Sequence, residues 1–308
     1  MARRVRPVYQ QAQKEVQEKL DNYLARFAAR DVAKRQQLAQ GVITRQEYAR
    51  WRTGQIMMGK RWADMVNVLA QDYHNANEIA QSIVRGYMPE VYAINHNFAV
   101  YEAEKGALID TSYTLYDRQS VERIMRDNPD LLPPPGKRVS ERIAAGKDVR
   151  WNRQQIQSVM TQSILQGESI PKIAKRLAKE VGDSNYKAAV RNARTMTTGA
   201  ENAGRVDGFR YAQDMGISLS QMWVATLDNR TRISHRHMDG EVVPVGERFS
   251  NGLLYPGDPD GEPEEIYNCR CRLIAQIAGH ERDLSDVGSR HNKNLGSMSY
   301  EEWKNAHE

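Results

Sequence analysis

The first 110 residues read as long polar helices, each with one apolar stripe. From Val8 to Gln40 no Gly or Pro interrupts the chain, and Leu20, Tyr23, Leu24, Phe27 and Ala28 recur at helical spacing. Gly41 suits a helix C-cap. Thr44 and Glu47 stand three apart and form a capping box for a second helix from Thr44 to about Val84, with Trp51, Met58, Trp62, Met65 and Leu69 on or near one face. A third helix spans about Pro89 to Ile109. A helix of ~40 residues extends ~60 Å. The pattern therefore predicts a helical hairpin or an elongated arm over residues 1–126.

The stretch DNPDLLPPPGKR breaks this regularity, because consecutive prolines cannot sit inside a helix and favour an extended spacer. Residues 127–150 are expected to be a Pro-rich linker. Shorter elements follow. WNRQQIQSVMTQSILQG reads as a helix ending near Gly167. SIPKIAKRLAKEVG reads as another, with Ser169 as N-cap and Pro171 in its first turn. A third runs from Tyr186 to Gly216. QMWVATLD then alternates like a strand, GEVVPVG is a second short strand, and IYNCRCRLIAQI a third. The expected fold class is α+β and predominantly α-helical: N-terminal helices, then over 151–280 a helical domain with a small β-rich cap, then a C-terminal tail over 281–308.

Charge changes this picture at one end. Residues 1–62 hold 14 Lys/Arg against 5 Asp/Glu, while the rest of the chain holds 30 against 34. The basic excess is an N-terminal property and points to an anionic partner, DNA or an acidic protein surface; a solvated helix face explains it equally well. No apolar run approaches the ~20 residues of a membrane span, and no apolar core follows the basic start as in a signal peptide. No membrane association is expected.

Candidate chemistry centres on Cys269 and Cys271, the only cysteines in 308 residues. Two cysteines are too few for a secreted disulfide framework. A disulfide between residues two apart requires distortion, and two buried thiols are the commonest arrangement. A third reading pairs them with His235 and His237 in DNRTRISHRHMDG, because zinc favours Cys and His in short-spaced pairs. On a strand both thiols face one side. If 231–238 is helical, His235 and Asp239 share a face; if extended, His235 and His237 do. The ligand set is thus His235, Cys269 and Cys271, with Asp239, His237 or Asp228 as the fourth. No HExxH or deaminase signature accompanies them, so a structural zinc stapling a loop-rich cap is expected, with no catalytic residue. Arg191, Arg194, Arg205 and Arg210 read as exposed solubilising charges.

The ordered set ARTMTTGAENAGRVDGF, MWVATLDNRTRISHRHMDG and YPGDPDGEPEEIYNCRCRL resembles the head-morphogenesis domain of tailed-phage minor head proteins, the phage Mu F-like family. Its marks fall at Arg194–Thr195, Asn202–Gly204, Trp223, Asp228–His235, Asp239–Gly240 and Asn268–Cys271. The resemblance covers about residues 150–275, and the terminal YEEWK is similar to tails in this group. One departure is Met196, where relatives often carry Glu. The resemblance implies a virion or procapsid component present in few copies, made in the host cytoplasm and associated with the portal protein and other head proteins. It also implies a role in head assembly, DNA packaging or DNA exit. Readings of another class are a zinc-dependent hydrolase or toxin-like enzyme, and a non-specific DNA-binding protein using residues 1–62.

Overall fold

A computed structural model describes residues 2–127, 137–277 and 293–307. In chain order the elements are α1 (Ala2–Ala39), α2 (Arg45–Ile56), α3 (Lys60–Arg85), α4 (Met88–Ala107), α5 (Arg118–Asp127), α6 (Lys137–Ala144), α7 (Lys147–Leu165) and α8 (Ile170–Asp214). Then follow β1 (Leu219–Val224), α9 (Ile233–His237), β2 (Val242–Pro244), α10 (Pro263–Ile266), β3 (Arg272–Ile277) and α11 (Tyr300–Ala306). The protein is predominantly helical with one small antiparallel sheet, the α+β class read from the pattern. The proline run at 133–135 lies outside the described residues.

Local signals fix several ends. Gly41 adopts φ +73°, and Val42 N–H bonds to Gln37 O while Gly41 N–H bonds to Leu38 O, closing α1 in a left-handed cap. Thr44 and Glu47 form the complete capping box of α2. The single helix expected from Thr44 to Val84 is instead two, α2 and α3, because Gly59 turns into the left-handed region at φ +84°. The break leaves Met58 66% exposed rather than on a buried face. The opposite happens downstream. The two helices expected at 169–182 and 186–216 are one continuous α8, in which Gly182 lies against the Gln13 side chain and Asn185 bonds to Val181 O and Asn152 Oδ1. Packing here overrides the helix-breaking tendency of glycine.

The chain divides into two compact units, Met1–Val84 with Val139–Val190, and Arg85–Arg138 with Arg191–Glu308. In the first unit, α1 buries Tyr9, Ala12, Val16, Leu20, Tyr23 and Leu24 along one stripe. Polar ties set its register: Tyr9 donates to Asn77 Oδ1 (2.7 Å), Lys19 pairs with Asp72 (2.6 Å), and Tyr73 donates to Ala178 O (2.8 Å). The N-terminal helices thus pack with α7 and the first half of α8.

The second unit is built on α4 and residues 191–214 of α8. A Cβ on Gly204 would come 2.5 Å from Tyr92 O, and one on Gly208 would come 2.7 Å from His96 O, so the two backbones touch where glycine leaves room. The sheet has the order β2-β1-β3, both pairs antiparallel, with Trp223 opposite Leu273 and Met222 opposite Val242. β1 alternates in burial, and Leu219 and Trp223 face a core that includes Phe209 of α8, Ala99 and Ala103 of α4, and Leu273 of β3. At the C-terminus, Ser299 and Glu302 cap α11 and Trp303 is fully buried, its indole N–H donating to Glu104 Oε2 at 2.5 Å.

Candidate metal centre

The third strand is shorter than its apolar pattern suggested. Pro263–Ile266 form α10, Asn268 takes the left-handed region at φ +55°, and strand pairing begins only at Arg272. The reason is where the backbone finds partners. Asn268 N–H donates to Thr195 Oγ1 (3.1 Å), Thr198 Oγ1 donates to Cys269 O (2.9 Å), and Thr226 Oγ1 donates to Arg270 O (2.8 Å). The Asn202 amide reaches Cys271 O (3.3 Å) and accepts Leu273 N–H (2.8 Å). Side chains on one face of α8, together with Thr226 after β1, thus replace a neighbouring strand, and both cysteines sit on a clamped turn.

This turn meets α9, the five-residue helix that carries His235. His235, Cys269 and Cys271 are 1%, 3% and 4% exposed, and both cysteines are free thiols. His235 Nδ1 stands 3.3 Å from Cys271 Sγ and 3.6 Å from Cys269 Sγ. Two thiolates and an imidazole around one zinc, at bond lengths near 2.3 and 2.0–2.1 Å and tetrahedral angles, lie about 3.6 Å from nitrogen to sulfur. The three donor atoms therefore fit a metal of this class. Electrostatics favour the anionic form of one sulfur. Cys271 is held down at about 5, first by the hydrogen bond from Cys269 and then by His235, and the same contact pushes Cys269 up.

The other residues expected as ligands are not in this cluster. Asp239 is exposed and accepts the backbone N–H of Ala225 at 2.8 Å. His237 is exposed. Asp228 makes a two-pronged pair with Arg270 (2.6 and 2.7 Å), which holds its carboxyl well below the usual range. Of the residues expected as ligands, those that gather are His235, Cys269 and Cys271. Sequence reasoning missed Glu265, whose Oε2 lies 2.8 Å from His235 Nε2. It also misjudged Arg205, which is 9% exposed and pairs with Glu102 at 2.8 Å.

The residues that form this turn, clamp and core are those of the ordered set noted above, and residues 154–274 match the family described as phage Mu protein F like protein. This segment belongs to the phage Mu F-like family. Within the family resemblance, the chain is 31% identical over 159 residues to the minor head protein GP7 of Bacillus phage SPP1, covering 49% of this chain and 51% of that protein. It is 27% identical over 244 residues to an Enterococcus faecalis protein named NAD(+)–arginine ADP-ribosyltransferase EFV, covering 78% of this chain and 47% of that one. An uncharacterized Haemophilus influenzae protein is 25% identical over 204 residues, with 66% and 40% covered. The chain thus spans about half, or less, of the length of these relatives. No solved structure gives a significant match.

Proposed function

We propose that the chain acts as a structural, non-enzymatic minor head protein of a tailed bacteriophage. In this reading it resides in the virion, after assembly in the host cytoplasm, and works at the portal vertex in head morphogenesis, DNA packaging or DNA exit. The observation that carries the proposal is the Mu F-like match over 154–274 together with the identity to a minor head protein. Its partners are the portal protein and other head proteins. DNA is a further partner, met through the basic N-terminal helices by a sequence-independent contact that weakens with salt. Among the described residues no helix is long and apolar enough to cross a membrane.

The role of His235, Cys269 and Cys271 in this reading is to hold a zinc ion that staples a loop-rich cap. A bound zinc would neutralise the two thiolates and join α9 to the 268–271 turn. A small cap with short strands gains stability from such a link because metal binding adds directly to folding free energy.

Purified heads should contain the chain in few copies beside the portal; finding it only free in the lysate overturns the assignment. Elemental analysis should find zinc in the wild type, and Cys269→Ser or Cys271→Ser should lower both zinc content and melting temperature. A wild type free of zinc at full stability removes the staple.

The enterococcal relative motivates a second reading, ADP-ribosyl transfer, because its match covers 78% of this chain. Burial of the His235 cluster suits a staple better than a centre that receives a substrate. Incubation with NAD+ and an arginine acceptor discriminates the two: transfer of ADP-ribose overturns the non-enzymatic reading.

A further inference from the structure

The cap contains a carboxylate aimed at the back of the ligand imidazole. Glu265 lies in α10, and its Oε2 stands 2.8 Å from His235 Nε2 with the histidine side chain 2% exposed. Ser234, next to His235 in α9, donates its hydroxyl toward both carboxylate oxygens at 3.2 Å. The opposite ring nitrogen, Nδ1, faces both sulfurs.

Hydrogen-bond bookkeeping gives this arrangement a direction. A neutral imidazole has one donor nitrogen and one acceptor nitrogen. An ionised carboxylate only accepts. Facing Glu265, Nε2 is therefore a donor, and Nδ1, between Cys269 and Cys271, is the nitrogen left to give up its proton and offer a lone pair when a metal binds. A metal that takes the two sulfurs meets that lone pair without rotation of the ring. The T-shaped contact with Trp223, at 5.3 Å between ring centres, restrains the same ring orientation.

We propose that Glu265 is the positioning residue of the metal centre: by accepting the Nε2 proton of His235 it commits Nδ1 to the ion, with Ser234 holding the carboxylate. This inference rests on the zinc reading above and deepens it. A carboxylate so placed also strengthens the imidazole as a donor. Its negative charge adds to that of the thiolates, and cationic groups stand near to balance it. Arg232 donates to Tyr267 O and acts electrostatically on Cys269, while Arg270, paired with Asp228, acts electrostatically on both sulfurs. α10, four residues long, starts at Pro263 and sets Glu265 against His235.

The test is zinc affinity of the full chain, measured by competition with a chromogenic chelator, for wild type, Glu265→Gln and Glu265→Ala. Loss of an outer partner of this kind lowers metal affinity about 10–100-fold. Glu265→Ala should show that loss. Glu265→Gln, whose side-chain carbonyl still accepts the Nε2 proton, should recover most of it. Nitrogen NMR of the zinc-loaded wild type should show His235 protonated at Nε2 and metal-bound at Nδ1. A role confined to joining α9 and α10 would instead lower the melting temperature of the chelated chain and leave affinity unchanged. Equal zinc affinity in Glu265→Ala and wild type, or zinc bound through Nε2, overturns the assignment of Glu265 while the zinc reading stands. A wild type that binds no zinc overturns both.

Discussion

Asn202 is 1% exposed, and both ends of its amide are used: Oδ1 accepts Leu273 N–H, and Nδ2 faces the carbonyls of Thr198, Pro256 and Cys271. Such a residue is kept for geometry rather than chemistry, since a buried polar group left without partners costs about 1–3 kcal/mol. Asp239 shows the converse. Its spacing suits a ligand, but its Oδ1 accepts the N–H of Ala225 instead. Asp228 is fixed by Arg270 first and then by the N–H of Arg230 and the hydroxyl of Thr231, which hold its carboxyl well below the usual carboxylate range on folding. A carboxyl so lowered contributes stability above its unfolded value of about 3.9 and loses it as pH falls through the folded value. Thermal melts below about pH 4 should therefore fall more steeply for wild type than for Asp228→Asn. The pair is solvent-exposed, so added salt should shrink the difference. Parallel acid limbs at low salt would contradict this account.

At the scale of elements, glycines divide into those that serve contact and those that do not. Gly204 and Gly208 let α8 touch α4, and a methyl at Gly204 would strike a backbone carbonyl 2.5 Å away. Gly204→Ala should destabilise the protein by about 1–3 kcal/mol or more, because the helices must separate. Gly54, inside α2, has nothing within 4 Å of the added carbon. Gly54→Ala should stabilise by about 0.5–1 kcal/mol through helix propensity alone. Urea unfolding of the two variants against wild type checks both signs. The turn after α10 is a third kind of element, one whose backbone bonds are made by the threonines and asparagine of α8 rather than by another strand.

At the scale of the whole molecule, the two units are discontinuous in sequence, and the candidate metal centre lies wholly in the second. If zinc staples the cap, removing it should act there first. Hydrogen–deuterium exchange after chelation should quicken in residues 219–277 and stay unchanged in 2–84. Uniform quickening across both stretches, or none in the cap, would count against a local staple. The basic excess of residues 1–62 belongs to the other unit, which also holds the polar ties of α1 to α3.

The sequence by itself determined the helical class, the Gly41 and Thr44–Glu47 boundaries, the presence of a strand around Trp223 and the grouping of His235, Cys269 and Cys271. Those features rest on interactions a few residues long, or on residue types rare enough to stand out. Tertiary structure decided the rest. It made α8 continuous through Gly182, split the second predicted helix at Gly59, withdrew Asp239 and supplied Glu265. The physical reason is that these outcomes depend on which distant group offers a hydrogen bond or a space. A glutamate thirty residues from its histidine carries no local signal, and only folding brings the carboxylate to the imidazole.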